Sequence, residues 1–314
     1  MRGLSRREFL GAVGLSAAVP RLRSMVEASG PQIQAAPEPI IDFHQHVLYL
    51  GRTREQLLAH QAAHGVTTTL LLPGEGWMRE QVGGNEECEE AAKTYLDKFL
   101  RFASSDPAES RTVDVLRGNA SRGALGFGEL KYHVAVDSPE MHAVYKLAEE
   151  LHVPVLLHFE FEMYNTGLER FERVLKTYPR VNFIGHAQTW WANISAEGKP
   201  QVMYPEGRVV PGGLTDRLLT DYPNIFGDLS AHSGLNALTR DPDFSRDFLA
   251  RHSHKLVWGS DCECHDGHGG GSKRGYCLAE RSLSTLRTHL TDSASLRRIL
   301  YENAAELLRL PRGP

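Results

Sequence analysis

The chain has 314 residues, 41% hydrophobic and 24% charged, which supplies apolar material for a sizeable core and excludes a disordered, collagen-like or disulfide-scaffold protein. A formal net charge of -4 provides no broad basic face, so neither nucleic acid nor an anionic membrane surface is an expected partner. Length alone does not choose between two ordinary domains and one α/β barrel of about 250 residues.

The first feature along the chain is Ser5-Arg6-Arg7-Glu8-Phe9-Leu10, followed by a small apolar run from Gly11 to Val19, the arrangement of a twin-arginine export signal. The alternative is a buried first helix. The run is short, rich in Gly and Ala, and followed by Pro20 and a Pro/Ala-rich stretch to Pro39, which favours the signal. Residues 1–38 are therefore expected to be signal and linker, recognised by the twin-arginine export machinery, and residues 39–314 a single exported, periplasmic domain. No later segment reaches the roughly 18 apolar residues of a membrane span, so the mature protein is not expected to insert stably.

From Ile40 onward short apolar runs alternate with longer amphipathic stretches, the pattern of repeated βα units. Strands are predicted at Ile40–His44, Val66–Leu72, Phe99–Ala103, Leu125–Lys131, Val153–His158, Val181–His186, Asn224–Leu229 and Lys255–Ser260. Helices are predicted at Arg54–His64, Glu86–Asp97, Arg111–Asn119, Pro139–Leu151, Leu168–Tyr178, Thr215–Tyr222 and Phe244–Arg251, with more beyond Ser282 and a last one over Ser295–Leu310. Ser138 before Pro139 is a good N-cap, and Met141, Val144, Tyr145, Ala148 and Leu151 share one helix face. Eight parallel strands with helical crossovers fit a closed barrel or an open doubly wound sheet, and periodicity does not separate the two.

The strand ends do. The first run closes in Ile41-Asp42-Phe43-His44-Gln45-His46, where alternation puts Asp42, His44 and His46 on one side, two imidazoles within reach of one metal ion and Asp42 below them as support. Three more runs close in metal-competent residues: Val155-Leu156-Leu157-His158, Asn182-Phe183-Ile184-Gly185-His186 and Leu256-Val257-Trp258-Gly259-Ser260-Asp261. Any one of these histidines alone reads as a core residue bonded to a carbonyl. Together, at the ends of a first, fifth, sixth and eighth strand, they converge only if the sheet closes, because a barrel gathers its strand ends at one mouth.

On these motifs the sequence, over about Ile40 to Leu310, resembles the amidohydrolase superfamily, and more narrowly its amidohydrolase-2 group of metal-dependent hydrolases. The resemblance implies a (β/α)8 TIM barrel of the α/β class, one or two divalent ions, and hydrolysis or occasionally decarboxylation of a small molecule at the barrel mouth. Carried over by position, His44 and His46 bind metal, His158 and His186 bind metal or substrate, and Asp261 is ligand and catalytic base, with His186 the second catalytic group. In Gly126-Phe127-Gly128-Glu129-Leu130-Lys131 the fourth-strand residue of relatives is a bridging glutamate, a carboxylated lysine or neither. Glu129 bridges two ions, with His44 and His46 on one and His158 and His186 on the other, or a single ion sits on His44, His46, His158 and Asp261 with His186 polarising the substrate. The plain alternative is a Glu129–Lys131 ion pair on one face. Imidazole-rich donors favour zinc, with manganese, iron and nickel left open.

The flanking loops carry further candidates. Lys131, Glu160 and His265 are expected to touch substrate, and Glu160 and Glu162 suit a cationic group or plain solvation. The loop Cys262-Glu263-Cys264-His265-Asp266-Gly267-His268 suits a glycine-hinged substrate loop more than a soft-metal site of Cys262, Cys264, His265 and His268. Trp190-Trp191 opens a long aperiodic segment to Pro211, read as an exposed pair that begins an active-site lid or a partner surface. No disulfide is assigned among Cys88, Cys262, Cys264 and Cys277. The expected activity is hydrolysis of a small amide, ester, lactone or related bond. The alternatives are decarboxylation of a small unsaturated or aromatic acid, for which Arg208 or Arg274 would grip the carboxylate, and a non-catalytic binding barrel, which would be expected to lose Asp261.

Overall fold

A computed structural model describes residues 38–199 and 201–311; the expected signal and linker lie outside them except for Glu38. Eight short parallel strands follow one another: β1 (Ile41–Gln45), β2 (Thr68–Leu71), β3 (Phe99–Arg101), β4 (Phe127–Leu130), β5 (Val155–His158), β6 (Phe183–His186), β7 (Ile225–Asp228) and β8 (Leu256–Val257). All eight coincide with predicted runs. β1 to β3 form one continuous sheet and β4 to β8 another. Backbone hydrogen bonds close the seams between them. Ala103 N donates to Gly126 O at 2.9 Å and Gly128 N to Ala103 O at 2.8 Å, while Phe43 N donates to Trp258 O at 3.0 Å and Asp261 N to His44 O at 2.8 Å. The sheet is therefore a closed (β/α)8 barrel, not an open one.

The helices are α1 (Arg54–Ala63), α2 (Arg79–Val82), α3 (Asn85–Thr94), α4 (Thr112–Ser121), α5 (Pro139–Leu151), α6 (Phe171–Thr177), α7 (Gln188–Ala192), α8 (Leu214–Asp221), α9 (Ala231–Thr239), α10 (Pro242–Arg251), α11 (Leu278–His289), α12 (Ser293–Arg297) and α13 (Asn303–Leu307). α5 starts as predicted, with Ser138 Oγ accepting from Met141 N at 3.3 Å and Pro139 in the first turn. The last predicted helix is broken by a π-helical turn over Arg298–Glu302. α9 is a helix the periodicity does not announce. Its Ser233 and Gly234 are buried, and a Cβ on Gly234 would lie 2.1 Å from Leu229 O, so a weak helix former stands where the backbones touch.

Leu156 and Ile184 sit two residues before His158 and His186, on the same side of their strands, and cluster with Leu70, Phe102, Val257 and the α13 residues Ala304, Leu307 and Leu308. This apolar plug underlies the histidines. A larger cluster of Leu157, Phe183, Ile225 and Leu256 with the surrounding helices forms the outer layer. The two tryptophans after β6 belong to that layer. Trp190 is 0% and Trp191 2% exposed, which overturns their reading as an exposed pair that begins a lid. The cause is Gly185: a Cβ there would meet the Trp190 ring at 2.4 Å, so the missing side chain is the space the indole fills.

Gly185→Ala is expected to overpack this contact and destabilise the barrel by about 1–3 kcal/mol, read as a lower denaturation midpoint in urea. A midpoint equal to that of the unaltered protein would show that Trp190 has somewhere else to go.

Candidate metal centre

His44 ends β1 with Nδ1 2.6 Å from Asp228 Oδ2, and His46 follows with Nδ1 2.7 Å from Leu72 O. A carbonyl only accepts, so Nδ1 of His46 carries the proton and its Nε2 lone pair is free. Nε2 of both rings turns to one point. There His46 Nε2 lies 3.7 Å from Glu129 Oε2 and 3.6 Å from Asp261 Oδ1, and His44 Nε2 lies 3.8 Å and 4.0 Å from the same two atoms. His186 joins from β6, with Nε2 3.6 Å from Glu129 Oε1 and Nδ1 3.0 Å from Ser230 Oγ and 3.2 Å from Asp228 Oδ2.

The separations of Nε2 from the carboxylate oxygens are too long for hydrogen bonds and too short for indifferent neighbours. His44 Nε2 and Asp261 Oδ1 are fully buried and have no hydrogen-bond partner. Buried polar atoms are rarely left so, and a shared cation is what satisfies several lone pairs aimed at one point. Two overlapping donor sets have this form, His44 with His46 and Asp261, and His44 with Glu129 and His186. The residues present thus fit one or two divalent ions, with Glu129 and Asp261 supplying the anionic charge.

The electrostatics agree. Burial opposes protonation of His44, but the Asp228 carboxylate, then Asp261, outweigh it and raise its pKa to about 10. Burial opposes ionisation of Glu129, yet His158, His44 and His186 hold it well below the usual carboxylate range, and Asp228 is lowered in the same way by His44 and His186. His186 is pushed down to about 4 by burial and by the neighbouring His44 charge. Asp261 is raised, because burial exceeds the attraction of His44 and His46. Its φ of 45° lies in the left-handed region, a strained conformation held by the bond from its N–H to His44 O.

The other predicted residues take different places. His158 hydrogen-bonds through Nδ1 to Glu129 Oε1 and contacts Glu160 Oε2 at 3.1 Å through Nε2, so both its nitrogens face carboxylates and it belongs to neither donor set. Glu129 makes no ion pair with Lys131. The Lys131 ammonium instead lies over the rings of Tyr164 and Trp77, at 5.3 and 5.8 Å, and these two rings stack at 5.9 Å. No hydrogen bond or ion pair among the described residues ties the His265 side chain to the centre; its backbone N–H donates to Gly270 O and its ring packs beside Gly271. Arg208 and Arg274 are both exposed. Asp42 supports His44 through the backbone and not through the ring: its carboxylate accepts from His44 N at 3.2 Å, from Ser260 N and Oγ at 2.8 and 2.6 Å and from Gln61 Nε2 at 3.0 Å.

Three residues escaped the sequence reading. Asp228 and Ser230 close β7 by the same strand-end rule that picked out His158, and the rule applied to Gly227-Asp228 would have found the carboxylate. Tyr49 packs its ring 5.2 Å from His46, and the adjacent Asp261 charge, with burial, holds its phenol well above the usual range. Nothing in its local sequence marks it.

A closed α/β barrel with imidazoles and carboxylates from four strand ends, those of β1, β4, β6 and β8, around one point defines a metal-dependent enzyme scaffold of the TIM-barrel class. The family model described as Amidohydrolase matches residues 41–310, and the chain belongs to that family. No curated protein matches it in sequence. Among solved structures it is similar to a probable 2-pyrone-4,6-dicarboxylic acid hydrolase from Acinetobacter baumannii with citric acid bound, at 16% identity and TM-score 0.61 over 86% of this chain and 99% of that one. A 2,6-dihydroxybenzoate decarboxylase from Rhizobium shares 14% identity at TM-score 0.53 over 87% and 99% of the two chains. A dihydroorotase from Campylobacter jejuni shares 13% at 0.53 over 88% and 85%. At these identities the likeness establishes the fold.

Asp228→Asn keeps the shape of the side chain that orients His44 and His186 but removes its charge. Metal affinity, measured by competition with a chromophoric chelator, is expected to fall about 10–100-fold. The Asp228 carboxylate favours the protonated form of His44, so the incoming metal displaces a proton and affinity climbs with pH through the neutral range; the variant should show a shallower climb. Equal affinity and equal pH slope in the two proteins would remove Asp228 from the centre.

Proposed function

We propose that the chain is a metal-dependent hydrolase that cleaves a small amide, ester, lactone or related bond, preferably in a planar substrate bearing a carboxylate. The observation that carries this reading is the pair of unpartnered buried atoms, His44 Nε2 and Asp261 Oδ1, facing each other at 4.0 Å inside the donor set. His44, His46, Asp261, Glu129 and His186 would hold a divalent ion, which would supply Lewis acidity to acidify water and polarise a carbonyl. Zinc suits the imidazole-rich set best.

The remaining work falls to the side chains. Asp261 stands at the mouth, 13% exposed, and its raised pKa suits it to take the proton of the attacking water and return it to the leaving group. His186, kept neutral by burial, faces the centre through Nε2 and orients the substrate carbonyl. His158 and Glu160 form the adjoining wall, with His158 also steering Glu129. Lys131 with the stacked Trp77 and Tyr164 offers a cation beside a flat apolar face, which fits an unsaturated or aromatic carboxylate.

The same feature supports a second reading, decarboxylation of a small aromatic acid, with Lys131 in the place the sequence analysis gave to an arginine. A panel of cyclic esters, amides and aromatic acids separates the two, since hydrolysis yields a new acid and decarboxylation yields carbon dioxide. In either case Asp261→Asn is expected to retain at least half of the bound metal while kcat falls about 100-fold or more, and Lys131→Met to raise KM several-fold on carboxylate substrates with little change in kcat. Full turnover by Asp261→Asn would end its role as the base.

Export to the periplasm is supported by Ser5-Arg6-Arg7-Glu8-Phe9-Leu10 and the apolar run behind it. Replacing Arg6 and Arg7 together by Lys should retain the protein in the cytoplasmic fraction of a twin-arginine-competent host. Unchanged periplasmic recovery would contradict this.

A further inference from the structure

A second set of soft donors converges away from the barrel mouth. α1 carries His60, with His64 just past its end, one turn apart on the same face, their rings 5.1 Å apart. The loop after β8 brings Cys262 and Cys264 against them, and Cys277 stands directly before α11. The donor atoms of His60, Cys264 and Cys277 all lie within 4.8 Å of one another. Cys277 Sγ is 3.2 Å from His64 Nε2, 3.5 Å from His60 Nε2 and 3.8 Å from Cys262 Sγ. His60 and the three cysteines are buried.

Hydrogen bonds engage part of this group: Cys264 Sγ donates to Asp266 Oδ1 at 3.2 Å and accepts from Gly269 N at 3.0 Å, and Cys262 Sγ accepts from Leu278 N at 3.3 Å. A thiol has a single proton, so at most one of the contacts of Cys277 is its own donation. Two of the spacings, 3.8 Å between Cys262 and Cys277 and 3.5 Å between Cys277 and His60, are also those of a shared ion. With Zn–S near 2.3 Å and Zn–N near 2.0 Å, two ligand sulfurs on a tetrahedral ion stand about 3.7 Å apart, and a sulfur and a nitrogen about 3.5 Å apart. Charge is also matched. Three thiolates on a divalent ion leave one net negative charge, and the buried Arg52 guanidinium donates to Cys262 O and Cys264 O at 2.8 and 3.0 Å.

We propose that His60, Cys264 and Cys277, with Cys262 Sγ 3.8 Å from Cys277 as the fourth donor, bind a structural zinc-class ion, with His64 covering its outer side, that staples the loop after β8 to α1. The set differs from the one the local sequence suggests: His268 is exposed, and neither it nor His265 belongs to this group. The staple lies one residue beyond Asp261, and Arg52 joins the loop to β1 by also donating to His46 O at 2.9 Å. The ion therefore fixes the stretch of chain that carries the proposed base.

The test is Co2+ added to the reduced full-length protein, read by absorption. A thiolate-bound cobalt gives a strong charge-transfer band in the near ultraviolet, which the barrel mouth, having no sulfur among its donors, does not. About one equivalent of cobalt with this band is expected in the unaltered protein and in His44→Ala, with the band reduced severalfold in Cys264→Ser and in Cys277→Ser. Cobalt uptake without the band overturns the proposal on the unaltered protein alone, so it does not depend on the variants folding. A Cys262–Cys277 disulfide in protein isolated without reductant from the periplasm would also overturn it.

Discussion

One buried carboxylate organises the barrel mouth. Asp228, 0% exposed, takes the Nδ1 edges of His44 and His186 and the hydroxyl of Ser230. An ionised group so deep is tolerated only when its lone pairs are filled, and here two imidazoles from β1 and β6 fill them. The same contacts decide which nitrogen each ring keeps for the centre. Leu72 O does for His46 what Asp228 does for His44, and the result is a point toward which Nε2 atoms and carboxylate oxygens are aimed before any ligand arrives.

Closing the sheet brings those groups together, and the closing bonds sit next to the chemistry. Asp261 N–H bonds His44 O across the β8–β1 seam, so the bond that shuts the barrel also holds Asp261 in its left-handed conformation. Asp42, on the other side of the β1 irregularity, clamps Ser260 and Gln61, and Arg52 ties the following loop to His46 O. Strain at Asp261 is thus balanced by hydrogen bonds in its immediate surroundings, below and behind its side chain at the barrel mouth.

Much of this is legible in the chain because the fold repeats one simple rule. Apolar runs of parallel strands are buried on both faces, so each polar residue that ends a run stands out, and His44, His46, His158, His186 and Asp261 were found that way. Glu129 was visible on the same ground, but whether it turned to Lys131 or to the histidines depends on Trp77 and Tyr164, aromatic rings far away in sequence that draw Lys131 off. Asp42 supports the site by accepting from the backbone N–H groups of His44 and Ser260, a local turn that an alternating pattern does not show. The Trp190-Trp191 pair misled because the space for Trp190 is made by Gly185, and an absent side chain leaves no hydrophobic signal. Tyr49 is placed purely by the path of a loop.

The central claim is that the unpartnered atoms at the barrel mouth are ligands of one ion or two. Its most direct test is a crystal structure of protein purified without chelator, with anomalous diffraction collected on both sides of the zinc absorption edge. The account predicts an anomalous peak in bonding contact with His44 Nε2, His46 Nε2 and the Asp261 carboxylate. A fully active preparation with no anomalous peak at that point, and only water there at any edge measured, would contradict it.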